Sequence, residues 1–283
     1  MRGLACAVLA GASLAALAQD PPRWYLQIDN DVAFATDRWY TSGMRLARVQ
    51  DRGDHALEWG LLHEVYTPEA KKFAPGTVDR APAARLLASI ARHDTMGQCF
   101  QTLELALGVR GPAAQGRRAT DLVHRWVPAP EVDWTREEPN RLDVQMAAVR
   151  SVGLGDAVVH CGAVVGSERS FAHGAAHWRI GADMAPQLLR FAATPPPAAG
   201  PAAWGAFVGM GARAVARDHL LSRGYDAELP APARERVVGR FAAGVGTVRP
   251  WGSALFALAL DTREFDGQRV PHRFGSLVIH VDF

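Results

Sequence analysis

From about residue 23 to its end the chain repeats one pattern: short runs in which apolar and polar residues alternate, separated by turns and loops. Side chains of a strand point alternately to opposite faces, so such a run describes a sheet with one apolar and one polar face. The clearest example is the last, where Leu277, Ile279, Val281 and Phe283 point one way and Ser276, His280 and Asp282 the other. Likewise Leu103, Leu105, Leu107 and Val109 alternate with Thr102, Glu104, Ala106 and Gly108, and Leu142, Val144 and Met146 face away from Arg141, Asp143 and Gln145. About twelve such runs begin near residues 23, 39, 55, 84, 98, 140, 156, 173, 202, 236, 252 and 272.

Length alone allows one barrel or two ordinary soluble domains, and a soluble β-sandwich would share the alternation. The N-terminus decides the compartment. Arg2, an apolar run from Leu4 to Leu17 and the small-residue close Ala16-Leu17-Ala18 have the order of a secretory signal, so cleavage is expected after Ala18. The run is too short for a spanning helix, and no later stretch approaches 18 uncharged apolar residues, so any membrane form must be a barrel. Trp24, Trp39, Tyr40, Trp178, Trp204 and Trp251 fall near run ends, where interfacial aromatic girdles belong. The closing aromatic strand resembles the signal that the barrel assembly machinery of bacterial outer membranes reads. The expected fold is all-β: an antiparallel transmembrane β-barrel of about twelve strands over residues 19–283, a multi-pass protein of the bacterial cell outer membrane.

Long connections at 66–83, 110–139, 186–201 and 217–235 contrast with tight turns such as Arg249-Pro250-Trp251-Gly252, as external loops contrast with periplasmic turns. Residues 114–126 lack an internal proline and are expected to form a short loop helix. With 31 Lys+Arg against 29 Asp+Glu, charge gives no argument for nucleic acid. Cys99 and Cys161 survive processing and read as small apolar residues rather than a disulfide.

Three polar stretches could carry chemistry. They are Asp29-Asn30-Asp31 with Thr36 to Arg45, Tyr66 to Lys72 with Asp79-Arg80, and Gly108 to Pro112 running on to His124 and Glu131. Here the chain resembles the lipid A 3'-O-deacylase family. The matching segments are Asn30-Asp31 with Asp37-Arg38-x-Tyr40-Thr41-x-Gly43, Tyr66-x-Pro68 with Asp79-Arg80, Gly108-Val109-x-Gly111-Pro112 with His124, Thr262 to Phe265, and Phe274-Gly275-Ser276. Two stretches depart from the family pattern: Asp79-Arg80 leads into Ala81-Pro82-Ala83-Ala84, and Val132 to Glu137 replaces a Gly-Trp-Asp-like run.

The resemblance implies an outer-membrane hydrolase that removes an ester-linked acyloxyacyl chain from lipid A of lipopolysaccharide, using Ca²⁺. His124 is then the base that activates water, Asn30 an amide donor, Asp31 and Glu131 hard-oxygen ligands of Ca²⁺, and Thr41 a further oxygen or water-orienting group. Lys71, Lys72 and Arg80 are the expected contacts to phosphate or sugar carboxylate. Successive strand residues face opposite ways, so Asn30 and Asp31 reach one site only where the strand ends or bulges. Two other readings stand beside this one. A non-catalytic barrel or small pore would have no use for these residues together. An outer-membrane phospholipase with a serine nucleophile would need a His/Ser pair on adjacent strands.

Overall fold

The computed structural model describes residues 22–282 except 35, 37, 73, 77, 127–128, 185–186, 196 and 198, and the backbone alone at 32 and 33. The signal-like residues 1–18, Asp37 and Phe283 lie outside the described residues. Twelve strands form one closed antiparallel ring: β1 (Arg23–Asn30), β2 (Trp39–Asp51), β3 (His55–Thr67), β4 (Ala83–Met96), β5 (Cys99–Arg110), β6 (Arg141–Leu154), β7 (Ala157–Gly166), β8 (Arg169–Gly181), β9 (Ala203–Asp218), β10 (Val237–Arg249), β11 (Gly252–Asp261) and β12 (His272–Asp282). The seam is β1 against β12, in register from Arg23↔Asp282 to Asn30↔Gly275. Closure leaves no open edge, which is what a sheet in hydrocarbon requires.

The alternation sorts side chains as expected. Leu103, Leu105 and Leu107 are exposed on the outer face, whereas Thr102 and Glu104 are buried in the lumen. Leu142 and Met146 point out and Asp143 and Gln145 in; Leu277 and Ile279 point out and Ser276 and His280 in. Strand β8 starts at Arg169, four residues before the sequence pattern suggests: Arg169, Phe171 and His173 keep the lumen-facing parity, but the apolar Phe171 stands among them, so polarity does not mark the start.

The polar lumen is cross-linked by ion pairs. Arg45 bonds Glu58 at 2.7 Å and Glu104 at 2.9 Å, Tyr25 donates to Glu58 at 2.7 Å, and His93 meets the other Glu58 oxygen at 3.1 Å. Arg85 bridges Asp143 at 2.6 Å and Glu64 at 2.7 Å, and Arg240 holds Asp261 at 2.6 Å. Buried charges persist only when paired and hydrogen-bonded in this way.

The start of β1, the end of β12, the short turns at 52–54, 97–98, 155–156 and 250–251, and the ends of the 182–202 connection share one end of the barrel. Short turns mark the periplasmic end of bacterial barrels. The 182–202 connection is therefore not one of the external loops its length suggests. It folds back into the lumen, burying Leu188, Leu189 and Ala193. There the Ala193 N–H donates to Glu104 at 2.9 Å, Arg190 donates to Thr102 at 3.1 Å, and Arg240 donates to the Leu188 carbonyl at 3.0 Å.

The aromatic girdle also differs in detail. Trp24, Trp178, Trp204 and Trp251 are exposed toward the terminus end, joined by Trp59, with Arg48 over Trp59 and Arg249 over Trp204. Trp39 is instead buried against Phe265 and His272, and Tyr40 turns inward to donate to Asp29 at 2.9 Å. Their alternation is displaced by a bulge described below. Cys99 and Cys161 are free thiols on β5 and β7, separated by β6.

Candidate functional site

At the loop end, β1 closes with Asn30 on the outward-facing parity of Trp24 and Ile28, paired with Ser42. Asp31 opens a 3-10 turn (Asp31–Phe34), where its buried carboxylate accepts from the Arg38 N–H at 2.5 Å and from the Thr36 hydroxyl at 3.1 Å. The strand does end between Asn30 and Asp31, the condition for both to serve one place. On β2 the register slips between Tyr40 and Ser42, so Thr41 is an inserted residue. Such a bulge re-aims a side chain. Tyr40 stays in the lumen, and Thr41 meets Thr67, on the outward parity of β3, with hydroxyl oxygens 2.6 Å apart.

Thr67 in turn accepts from the Lys71 ammonium at 2.6 Å. The run Thr41–Thr67–Lys71 thus forms a buried polar line on the outer side of the rim, with Asn30 paired to Ser42 beside Thr41. Thr67 lies inside the Tyr66-x-Pro68 motif, and the alternation of β3 was the signal that could have found it. Lys71 is also the crossroads of three loops. Its carbonyl accepts the Tyr225 hydroxyl at 2.8 Å and the Asp133 N–H at 3.1 Å.

The predicted loop helix is α1 (Gly116–His124). It packs against the outward face of the wall, where Ala114 and Ala119 join Val65, Ala84, Leu86, Val109 and Trp134 in one apolar cluster. The His63 ring bonds the Ala114 carbonyl at 2.9 Å and pins the approach to the helix. Gly116 sets the closeness of the fit, since a Cβ there would lie 2.5 Å from Ala84 and 2.9 Å from Trp134. His124 is the last helical residue and half-buried. Around it Leu122, Val123 and Trp126 are exposed, a cluster of apolar side chains that a soluble loop would not favour.

The carboxylates beyond the helix take distinct places. Glu131 is exposed. Asp133 caps the turn Trp134–Arg136 by accepting from the Thr135 N–H at 3.0 Å. Glu138 is buried with Arg110 at 3.7 Å. Glu137 has a buried oxygen without a hydrogen-bond partner, and burial pushes its carboxyl up to about 7. The expected anionic contacts also separate. Lys71 is buried and Lys72 exposed. Arg80 is turned inward: it is 2% exposed, stacks on Tyr66 at 4.4 Å and reaches Leu220 O at 3.3 Å and Glu264 at 3.8 Å. Burial raises the Asp79 carboxyl, although the Glu69 and Arg80 N–H groups both donate to it.

Among the described residues no three His, Cys, Asp or Glu side chains gather as a metal cluster. The residues at this end of β1 and β2 nevertheless carry oxygen donors: the Asp31 carboxylate, the Asn30 amide and the Thr41 hydroxyl. Such a set suits a hard cation such as Ca²⁺, which takes amide, carbonyl and water ligands as readily as carboxylates.

The structure does hold a His/Ser pair on adjacent strands. The Ser151 hydroxyl of β6 and His160 Nδ1 of β7 are 2.8 Å apart. The pair faces the lumen near the terminus end and is buried, away from the lipid surface a phospholipase must reach.

The sequence profile of the outer membrane protein LpxR matches residues 4–283. Among solved structures, LpxR from Salmonella typhimurium is similar at a TM-score of 0.76 and 21% identity, covering 92% of this chain and 100% of that one. The toluene transporter TodX from Pseudomonas putida (TM-score 0.41, 9% identity, 93% and 90% covered) and BamA from Haemophilus ducreyi (0.36, 7%, 92% and 70%) are also matched. No curated protein matches the sequence.

Proposed function

The chain belongs to the family of the outer membrane protein LpxR, and from that premise we propose that it hydrolyses the ester holding the 3'-acyloxyacyl chain of lipid A. The reaction is set at the outer rim, where α1 meets the wall. The observation that supports this reading best is the placement of the polar line. Thr41, Thr67 and Lys71 form a bonded run on the outward parity of the wall, Asn30 pairs with Ser42 beside Thr41, and Asp31 follows at the strand end, on the rim that also carries the helix presenting Leu122, Val123 and Trp126. A lipid substrate can approach there from the leaflet, acyl chains along the apolar wall and headgroup at the loops.

In the proposed reaction His124 takes a proton from water while the water oxygen attacks the ester carbonyl carbon. Charge then develops on the carbonyl oxygen, and the Asn30 amide supplies a donor for it. As the tetrahedral intermediate collapses, the sugar 3'-oxygen leaves with the proton returned by His124. The products are a free acyloxyacyl acid and a lipid A 3'-hydroxyl. Lys71, held by Thr67, supplies positive charge near a phosphate. Ca²⁺, when bound, would be held by Asp31, with Glu131 as a further carboxylate, and would supply Lewis-acid polarisation of the ester.

A lumen crossed by residues 187–194 and cross-linked by ion pairs opposes the pore reading. The test is mass spectrometry of lipid A after incubation with purified protein and millimolar Ca²⁺. Loss of the 3'-acyloxyacyl mass in the wild type, and its retention with His124→Ala, is expected. Unchanged lipid A with wild-type protein refutes the assignment.

A further inference from the structure

Nearly every buried arginine of the lumen has a carboxylate partner. Arg45, Arg85, Arg110, Arg169, Arg213 and Arg240 are each ion-paired. Arg190, carried into the lumen on the 182–202 connection, is not ion-paired with any described carboxylate. It is 4% exposed, donates from one terminal nitrogen to Thr102 at 3.1 Å and lies 4.4 Å over the Phe100 ring, and its buried Nε has no hydrogen-bond partner. A guanidinium does not shed its charge in a protein, so a buried one calls for an anion.

Arg190 lines a cavity of about 470 Å³ at the terminus end, between the inserted connection and β5–β8. Ser151, His160 and His177 line it too, in a hydrogen-bonded row: 2.8 Å from the Ser151 hydroxyl to His160 Nδ1, then 2.9 Å from His160 Nε2 to His177 Nδ1. If the hydroxyl donates, each ring passes a donor along the row, and His177 Nε2–H ends it. That nitrogen is buried, and nothing accepts from it. The other charged pair of the cavity is closed on itself, Arg179 on Asp183 at 2.6 Å, so Asp183 already has a cation. Phe100 and Val158 give the cavity an apolar wall.

We propose that this cavity binds a single oxyanion group, a carboxylate or a phosphate, whose charge pairs with Arg190 and whose oxygen accepts from His177. The site stands at the opposite end of the barrel from the deacylation rim, and the proposal does not depend on that activity. The apolar wall further suits an amphiphile, with its anionic head on Arg190 and its chain against Phe100.

Isothermal titration of the full-length protein in a non-ionic detergent, with inorganic phosphate and separately with octanoate, tests it. Binding of either, weakened at least tenfold by Arg190→Gln, supports the site. A preference for octanoate identifies an acyl carboxylate as the source, and a preference for phosphate a phosphate group. Because Arg190→Gln also removes the Thr102 bond, Arg190→Lys is measured beside it and is expected to keep part of the affinity. No binding of either probe overturns the proposal. So does affinity unchanged in Arg190→Gln, or lost as fully in Arg190→Lys while both variants keep the electrophoretic mobility of the folded barrel.

Discussion

Replacing Arg85 by methionine is expected to destabilise the barrel more than replacing its partner Asp143 by asparagine. Arg85 and Asp143 are both fully buried, and among the described residues the carboxylate's one hydrogen bond, at 2.6 Å, comes from the Arg85 Nε, its second oxygen being buried without one. Arg85→Met therefore strands a buried charge, a change that costs roughly 3–5 kcal/mol. Asp143→Asn leaves Arg85 with Glu64 at 2.7 Å and Gln145 at 3.1 Å, so it forfeits about one charge-assisted bond, roughly 1.5–3 kcal/mol. Glu64 survives either change because Arg169 also holds it, at 3.0 Å. The double variant Arg85→Met, Asp143→Leu removes both members and should be more stable than Arg85→Met alone. Urea-driven unfolding in phospholipid vesicles, followed by fluorescence of the girdle tryptophans, measures all three. An Arg85→Met cost no larger than that of Asp143→Asn, or a double variant as unstable as the single, would refute the view that pairing, not mere polarity, holds the lumen.

Thr67→Val should lower the deacylation rate on lipid A several-fold while leaving the barrel folded, because it unties Lys71 and Thr41 at once; unchanged turnover removes the polar line from the mechanism. Deleting residues 187–194 is expected to raise ionic conductance in planar bilayers well above the wild type, whose lumen those residues cross, and equal conductances would contradict the plug. For Glu137 the folded carboxyl stands near 7 against an ordinary 4.5. A raised carboxyl favours the folded loop fully below the unfolded value and loses that contribution as pH climbs through the folded one. Glu137→Gln should hence flatten the rise in proteolytic nicking of the 111–140 loop between about pH 4.5 and 7, and an identical pH profile in both proteins would show that the side chain is solvated.

The ring itself was legible because lipid and lumen impose opposite polarity on successive residues, and eleven of the twelve strand starts read from the alternation fall within one residue of those observed. The sign of a long connection was not legible by length. The 182–202 segment looks like an external loop in composition, and only counting strands places it at the terminus end. Trp39 and Tyr40 misled for a related reason: they sit just before an inserted residue, and a bulge flips the parity from which facing is inferred. Thr41 and Lys71 are tied together through Thr67 by the bulge and the loop that carries Lys71, with Asn30 paired to Ser42 beside them. Arg80 shows the limit of reading charge from sequence. A cation in a polar loop motif is equally suited to closing an internal network, and here Tyr66, Leu220 and Glu264 surround it.

The inserted connection has a mechanical consequence. It is bonded to β5 through Thr102 and Glu104 and to β10 through the Leu188 carbonyl, and those strands stand five places apart in a ring of twelve, nearly across a diameter. A thin-walled cylinder yields most easily by flattening into an ellipse. A diagonal strut resists that mode, so lateral pressure from the surrounding bilayer is met by compression of residues 187–194 rather than by ovalisation of the wall. The rim above, where α1 must keep its spacing from β3 and β4, is in this way braced from inside.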